Sequence, residues 1–168
     1  MRVPPQLWAR GPYDVGLINT ADPVKIILRE GSILSRVRQY PLSREAVEDI
    51  APTIQALVEQ GVIYVGVSPY NTPIYSIKKS KVGTWRLVQD FRPLNDIVVS
   101  EFPVVPDPSI ILTNITADAM YFSVIDVKNV FFSILLHPDS QFLTAFTFRG
   151  FNICSGACLR AIVSPLVS

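Results

Sequence analysis

Cysteine, histidine and net charge are all in short supply in this chain. The two cysteines, Cys154 and Cys158, lie close together with no further Cys or adjacent His, which excludes a zinc-stapled domain and a disulfide framework. They read as free thiols of a reducing compartment. The single histidine, His137, has no metal or base partner nearby in sequence and reads as a turn residue in His137-Pro138-Asp139. A formal charge of +1 lacks the basic excess of an autonomous nucleic-acid binder, so any such binding has to come from a local cluster. No apolar run is long enough to span a bilayer, and the N-terminus, interrupted by Pro4, Pro5 and Pro12, carries no signal-peptide core. The expectation is a soluble, intracellular (cytoplasmic) protein without a membrane partner.

What is present is a chain of 168 residues, nearly half of them apolar, which is enough for one sizeable core. Fourteen prolines argue against a simple helical bundle and for short elements with irregular connections. Residues 1–42 show no sustained period and read as an extended lead-in, with one strand at residues 24–28. From Ser43 the pattern changes. Val47, Ile50, Ile54, Leu57 and Val58 recur at three- and four-residue steps, Ser43 can cap the start and Gly61 suits the stop, so an amphipathic helix bent at Pro52 is expected.

Residues 62–67 read as a short strand. Residues 74–77 and 84–88 read as the arms of a hairpin with a basic tip, Lys78-Lys79-Ser80-Lys81-Val82-Gly83. After the Pro-rich passage 102–108, a short helix is expected at residues 109–115, a buried strand at 121–126, a turn at 137–139 and another strand at 142–148.

Several residues carry possible chemistry. Arg29, Arg36, Arg38, Lys78, Lys79, Lys81, Arg86 and Arg92 could form a basic cluster, or simply a solvated surface. Lys79 and Arg86 stand on opposite arms of the hairpin, where an ammonium and a guanidinium could meet one phosphate group. Asp90 and Arg92, two apart, could be a surface ion pair. Asp126 ends an apolar run directly before Val127-Lys128-Asn129-Val130-Phe131-Phe132, and taken alone it could be a turn or cap residue.

Taken together, Val124-Ile125-Asp126-Val127-Lys128-Asn129-Val130-Phe131-Phe132, Ser68-Pro69-Tyr70-Asn71-Thr72-Pro73, Lys78-Lys79 and Trp85-Arg86-Leu87-Val88-Gln89-Asp90-Phe91-Arg92 resemble the reverse transcriptase region of retroviral Pol polyproteins, most of all those of endogenous retroviruses, over residues 3–148. The resemblance implies an α+β chain: a partial right-hand polymerase fold with a lead-in (1–42), fingers (43–117) and the start of an incomplete palm sheet (118–150). It implies template-directed nucleotidyl transfer by an RNA-directed DNA polymerase, with Mg2+ or Mn2+ held by carboxylates such as Asp126 and by the carbonyl of Val127. It places Lys79, Arg86, Asn129, Val130 and Phe131 around a deoxynucleoside triphosphate, with Phe131 excluding a ribose 2′-hydroxyl and Asn129 acting through its backbone amide. Phe132 is the better candidate for core packing. Lys78, Asp90 and Arg92 fall in the template-contact region. The implied partners are an RNA or DNA template-primer, nucleoside triphosphates and a full-length polymerase.

Residues 151–168 depart from the family. One synonymous coding of residues 157–166, read from its third base, gives Leu-Pro-Gln-Gly-Tyr-Cys-Glu-Ser-Pro, which resembles the motif expected next, so the tail reads as a frameshifted copy of it. This also accounts for the lack of strand period from Cys154 onward. The family's Tyr-x-Asp-Asp carboxylates would lie further on. The isolated chain is therefore expected to be inactive, to hold metal weakly, and to expose Phe122, Ile125 and Phe146. The alternative is a non-catalytic nucleic-acid or polymerase-binding module.

Overall fold

In the computed structural model the described residues are 8, 9, 11, 13–18, 20–33, 36–79, 84–99, 107–116, 118–124, 126, 127 and 129–157. The hairpin tip at 80–83, residues 102–106, Ile125, Lys128, Cys158 and the frameshift reading of the tail fall outside them.

Helix α1 spans Arg44–Glu59, and its ends follow from local chemistry. The Ser43 hydroxyl accepts a hydrogen bond from the Ala46 N–H (3.2 Å), and Glu45 complements the positive end of the helix dipole. At the other end Gly61 adopts φ +69°, with Gly61 N–H donating to the Val58 carbonyl (2.9 Å) and Val62 N–H to that of Leu57 (2.9 Å). That is a Schellman stop, which needs a residue free to enter the left-handed region. Pro52 removes one internal hydrogen bond, yet the segment stays helical through it. The buried stripe is Ala46, Ile50, Ile54 and Leu57; Val58, expected inside, is exposed.

Strands β1 (Ile63–Val65), β4 (Phe146–Phe148) and β5 (Phe151–Ser155) form an antiparallel sheet in the order β1-β5-β4. Strands β2 (Ile74–Lys78) and β3 (Trp85–Gln89) form the separate, expected hairpin, with Ile77 opposite Arg86 and Lys78 opposite Trp85. Short helices α2 (Arg92–Asn95), α3 (Pro108–Thr113) and α4 (Pro138–Gln141) fill the connections. His137 begins α4, its Nδ1 accepting from the Asp139 N–H (3.2 Å), so a helical turn replaces the simple turn expected there.

Two apolar clusters result. One joins α1 to β1, β4, β5 and Ile74; the other gathers Ile26, Phe91, Leu94, Val98, Leu136 and Leu143. Phe132 packs against both.

Several expectations need correction. Residues 121–126 form no strand among the described residues; Tyr121, Phe122 and Val124 are exposed instead. An extended segment becomes a strand only beside a hydrogen-bonding neighbour, and no described residue pairs with 121–124. The run at 142–148 splits into a 3-10 turn, Phe142–Thr144, followed by β4, because Thr144 bonds back to the Gln141 carbonyl (2.8 Å). Phe146 is buried rather than exposed, and Cys154 and Ser155, which show no strand period, complete β5 as its central-strand register requires. The Cys154 thiol is buried, which pushes its pKa up.

Buried polar groups stitch these parts together. Gln89 Nε2 donates to the Thr72 hydroxyl and to the Thr144 carbonyl (2.8 Å), while Thr72 donates through both N–H (2.7 Å) and Oγ1 (2.9 Å) to the Ala145 carbonyl. Asn71 exchanges bonds with Val37 (2.6 and 3.2 Å) and accepts from Thr147 Oγ1 (2.8 Å). The lead-in is thus woven into the fold. The strand expected at 24–28 is reduced to single bridges from Val24 to Leu136 and from Leu28 to Val98.

Further along, Gln39 pairs with both backbone groups of Ile74 (2.7 and 3.1 Å) as a strand neighbour would. The Tyr40 hydroxyl donates to Asp90 Oδ2 (2.9 Å). Asp90 is only 4% exposed and receives Arg92 through Nε (2.9 Å), a terminal guanidinium nitrogen (2.7 Å) and the backbone N–H (3.1 Å).

Two predictions follow from this packing. Gln89→Leu leaves the Thr144 carbonyl without its donor and should cost about 1–3 kcal/mol, read as a lower urea midpoint at unchanged m-value; a midpoint within error of the parent would contradict the stitching role. The Arg92 hydrogen bonds, with that of Tyr40, outweigh burial and hold the Asp90 carboxyl well below the usual carboxylate range. Because the folded value lies below the unfolded one of about 3.9, this contribution is complete above that pH and fades as pH falls through the folded value. Urea midpoints measured from pH 6 to 2 should therefore fall more steeply in the parent than in Asp90→Asn.

Candidate nucleotide and template site

Antiparallel register makes Lys79 the partner of Thr84, whose carbonyl accepts from the Lys79 N–H (2.8 Å), and sets Lys79 diagonally to Arg86 on one face. Cα atoms in such diagonal pairs lie roughly 7–8 Å apart, close enough for two long cationic side chains to converge on one anion. The hairpin is held at a definite angle to α1. The outward N–H of Trp85, which faces away from β2, donates to Asp49 Oδ2 (2.7 Å).

Facing the hairpin is the turn after Asp126. Asn129 sits in the left-handed region at φ 53°, a conformation that Asn tolerates better than most side chains, and a 3-10 turn, Val130–Ser133, follows. Its geometry divides the aromatic pair: Phe131 is 40% exposed, while Phe132 turns into the two cores.

Between hairpin, α1 and this turn lies a cleft of about 580 Å3. Its walls bring together Lys79, Arg86, Val127, Asn129, Val130 and Phe131, residues from two segments far apart in sequence. Tyr13, Asp49, Thr53, Trp85 and Phe132 also line it. Tyr13 and Asp49 carried no sequence signal, because their place depends on the fold of the lead-in and of α1.

Asp126 is exposed and does not line the cleft, although its neighbour Val127 does. Among the described residues no three His, Cys, Asp or Glu side chains converge. A divalent cation of the Mg2+ type needs about six oxygen ligands, so one carboxylate and one carbonyl do not by themselves fit it.

The template-contact candidates lie elsewhere. Lys78 is exposed near the end of β2, on the face opposite Lys79. Asp90 and Arg92 line a separate shallow depression with Ile33, Tyr40, Pro93, Asp96 and Ile97. The Asp90 carboxylate is committed to Arg92 and Tyr40, whereas the Arg92 side chain is 82% exposed and presents its remaining donors to solvent. No helix among the described residues is long and apolar enough to cross a membrane.

Comparison with known proteins gives this geometry its context. Residues 77–163, just over half of the chain, match the family model "Reverse transcriptase (RNA-dependent DNA polymerase)". The chain is 40% identical over 150 residues to the Gag-Pol polyprotein of Walleye dermal sarcoma virus, covering 89% of this chain and 8% of that polyprotein. With the Gag-Pol polyprotein of Woolly monkey sarcoma virus it shares 41% identity over 145 residues, again 8% of the relative's length. Among solved structures, the foamy viral protease-reverse transcriptase dRH in complex with double-stranded DNA superposes with TM-score 0.77 at 31% identity, over 90% of this chain and 26% of that one. The foamy viral protease-reverse transcriptase in complex with an RNA/DNA hybrid gives TM-score 0.76 at 28% identity, over 94% and 21%. The chain thus spans a small part of each relative, and within that span it belongs to the reverse transcriptase (RNA-dependent DNA polymerase) family.

Proposed function

We propose that this chain is the nucleotide- and template-receiving part of an RNA-directed DNA polymerase, comprising fingers (residues 43–117) and the first palm segment (118–150). The reading rests above all on the single cleft that collects Lys79 and Arg86 from the hairpin and Asn129, Val130 and Phe131 from the turn after Asp126. Two cations suit a triphosphate. An exposed ring at the sugar position suits a substrate lacking a 2′-hydroxyl, which it would otherwise strike.

Lys78 and the outer donors of Arg92 are assigned to the phosphate backbone of an RNA or DNA template-primer, an electrostatic and salt-sensitive contact. The foamy viral relatives in complex with double-stranded DNA and RNA/DNA hybrid support this class of partner. Asp90 acts on the template indirectly, by fixing the guanidinium of Arg92.

Enzymes of this family depend on divalent metal; Mg2+ or Mn2+ is the ion proposed, with Asp126 and the Val127 carbonyl as part of its ligand set. Since these residues alone do not fit such an ion, the function assigned to the 168 residues by themselves is binding, and turnover is assigned to an assembly that supplies further carboxylates. A full-length polymerase is the proposed source. Catalysis by this chain alone is the competing reading, and template-stimulated nucleotide incorporation that disappears in Asp126→Ala would establish it.

The binding reading is tested with dTTP by calorimetry. The double variant Lys79→Ala plus Arg86→Ala should weaken binding by at least about tenfold, in keeping with about 1.5–3 kcal/mol for each charge-assisted bond, and should flatten the salt dependence. Unchanged affinity in that variant would remove the cleft from nucleotide recognition.

A further inference from the structure

A short piece of the lead-in, residues 13–18, runs between the end of α1 and the turn that walls the cleft. At the helix end Gln60 holds it twice: Nε2 donates to the Tyr13 carbonyl (2.7 Å), and Oε1 accepts from the Val15 N–H (3.1 Å). At the turn Asn129 Nδ2 donates to the Asp14 carbonyl (2.9 Å), and the Ile18 N–H donates to the Ser133 carbonyl (2.8 Å). Val15 packs against the apolar cluster of α1, which seats the middle of the piece. Its first residue, Tyr13, lines the cleft itself.

From this arrangement we infer that residues 13–18 are a strap that completes the nucleotide cleft, with Tyr13 as an aromatic wall and Gln60 as a positioning residue acting on the Val130–Ser133 turn from outside it. The inference deepens the nucleotide-binding reading and rests on it. Three features carry it. The strap grips the turn at both ends, through the side chain of Asn129 and the carbonyl of Ser133, so the turn cannot shift without breaking one of those bonds. The Asn129 bond uses the side chain, a role beyond the backbone amide, from a residue type that tolerates the left-handed conformation it adopts. Finally, the cleft keeps about 580 Å3 with Tyr13 in place, within the range of small-ligand pockets, so Tyr13 bounds the space and does not fill it. An amphipathic ring at such a border offers contact area at low entropy cost, which suits a base or sugar more than a phosphate.

Gln60 does not line the cleft, and that makes it the decisive position. Gln60→Leu removes both helix-side bonds of the strap while keeping a residue suited to a helix end. Two readouts are taken on the full chain. Amide hydrogen exchange across residues 130–133, without ligand, should accelerate about tenfold in Gln60→Leu. Binding of dTTP should weaken about fivefold in Gln60→Leu and in Tyr13→Ala, recover in Tyr13→Phe, and leave binding of inorganic tripolyphosphate within twofold of the parent.

Exchange at 130–133 unchanged in Gln60→Leu overturns the strap. Equal weakening of dTTP and tripolyphosphate in Tyr13→Ala overturns the aromatic wall; Tyr13 is a surface residue, so this variant remains informative if Gln60→Leu fails to fold. If exchange responds as expected while the unmutated chain binds no dTTP, the strap stands as a structural device and the nucleotide reading falls.

Discussion

The hydrogen bonds that Thr72 and Gln89 direct at the carbonyls of Thr144 and Ala145 hold the hairpin base to the strand that begins at Phe146. These groups are buried, so separating the two parts would strand donors and acceptors away from water, at about 1–3 kcal/mol for each one left unpaired. Asn71, one residue earlier, carries the same linkage outward to Val37 and Thr147. The Ser-Pro-Tyr-Asn-Thr-Pro segment therefore has a physical task. It joins the lead-in, the hairpin and the three-stranded sheet at one point, with an apolar cluster on either side. The position of Lys79 and Arg86 relative to the turn after Asp126 depends on that joint.

Local chemistry accounts for much that could be read from the sequence. The capping Ser43, the left-handed Gly61 and the apolar steps of α1 are decided within a few residues, and the hairpin arms are decided by β-rich runs around a polar loop. The core packing of Phe132 was also visible, since it was the better candidate of the aromatic pair for that place. Long-range pairing accounts for what was missed. Residues 121–124 have the composition of a strand but no neighbour to pair with among the described residues, whereas Cys154 and Ser155, where the strand period is missing, gain strand structure in β5, which has neighbours on both sides. The lead-in was opaque for the same reason. Gln39 stands in for a strand beside Ile74, and Tyr40 completes the shell of Asp90, and neither leaves a periodic trace in the sequence.

The proposed site divides physically into a half assigned to binding and a half assigned to reaction. In the half assigned to binding, the hairpin is fixed to α1 through Asp49 and Trp85, Asn129 enters the turn in the left-handed region, and residues 13–18 grip that turn. The half assigned to reaction is represented by Asp126, exposed close to the exposed Tyr121, Phe122, Val124 and Val127. In the proposed function, the placed cations and aromatic ring select the nucleotide, and phosphoryl chemistry is left to carboxylates that the described residues do not assemble.

Native-state hydrogen exchange of the parent chain tests the central claim most directly, that one buried polar joint makes these segments a single cooperative unit. The amide of Thr72, bonded to Ala145, that of Val37, bonded to Asn71, and those of the hairpin should open with the same free energy and the same dependence on denaturant. Hairpin amides that stay protected while Thr72 and Val37 exchange as freely as a surface loop would show the parts to be independent and would contradict the account.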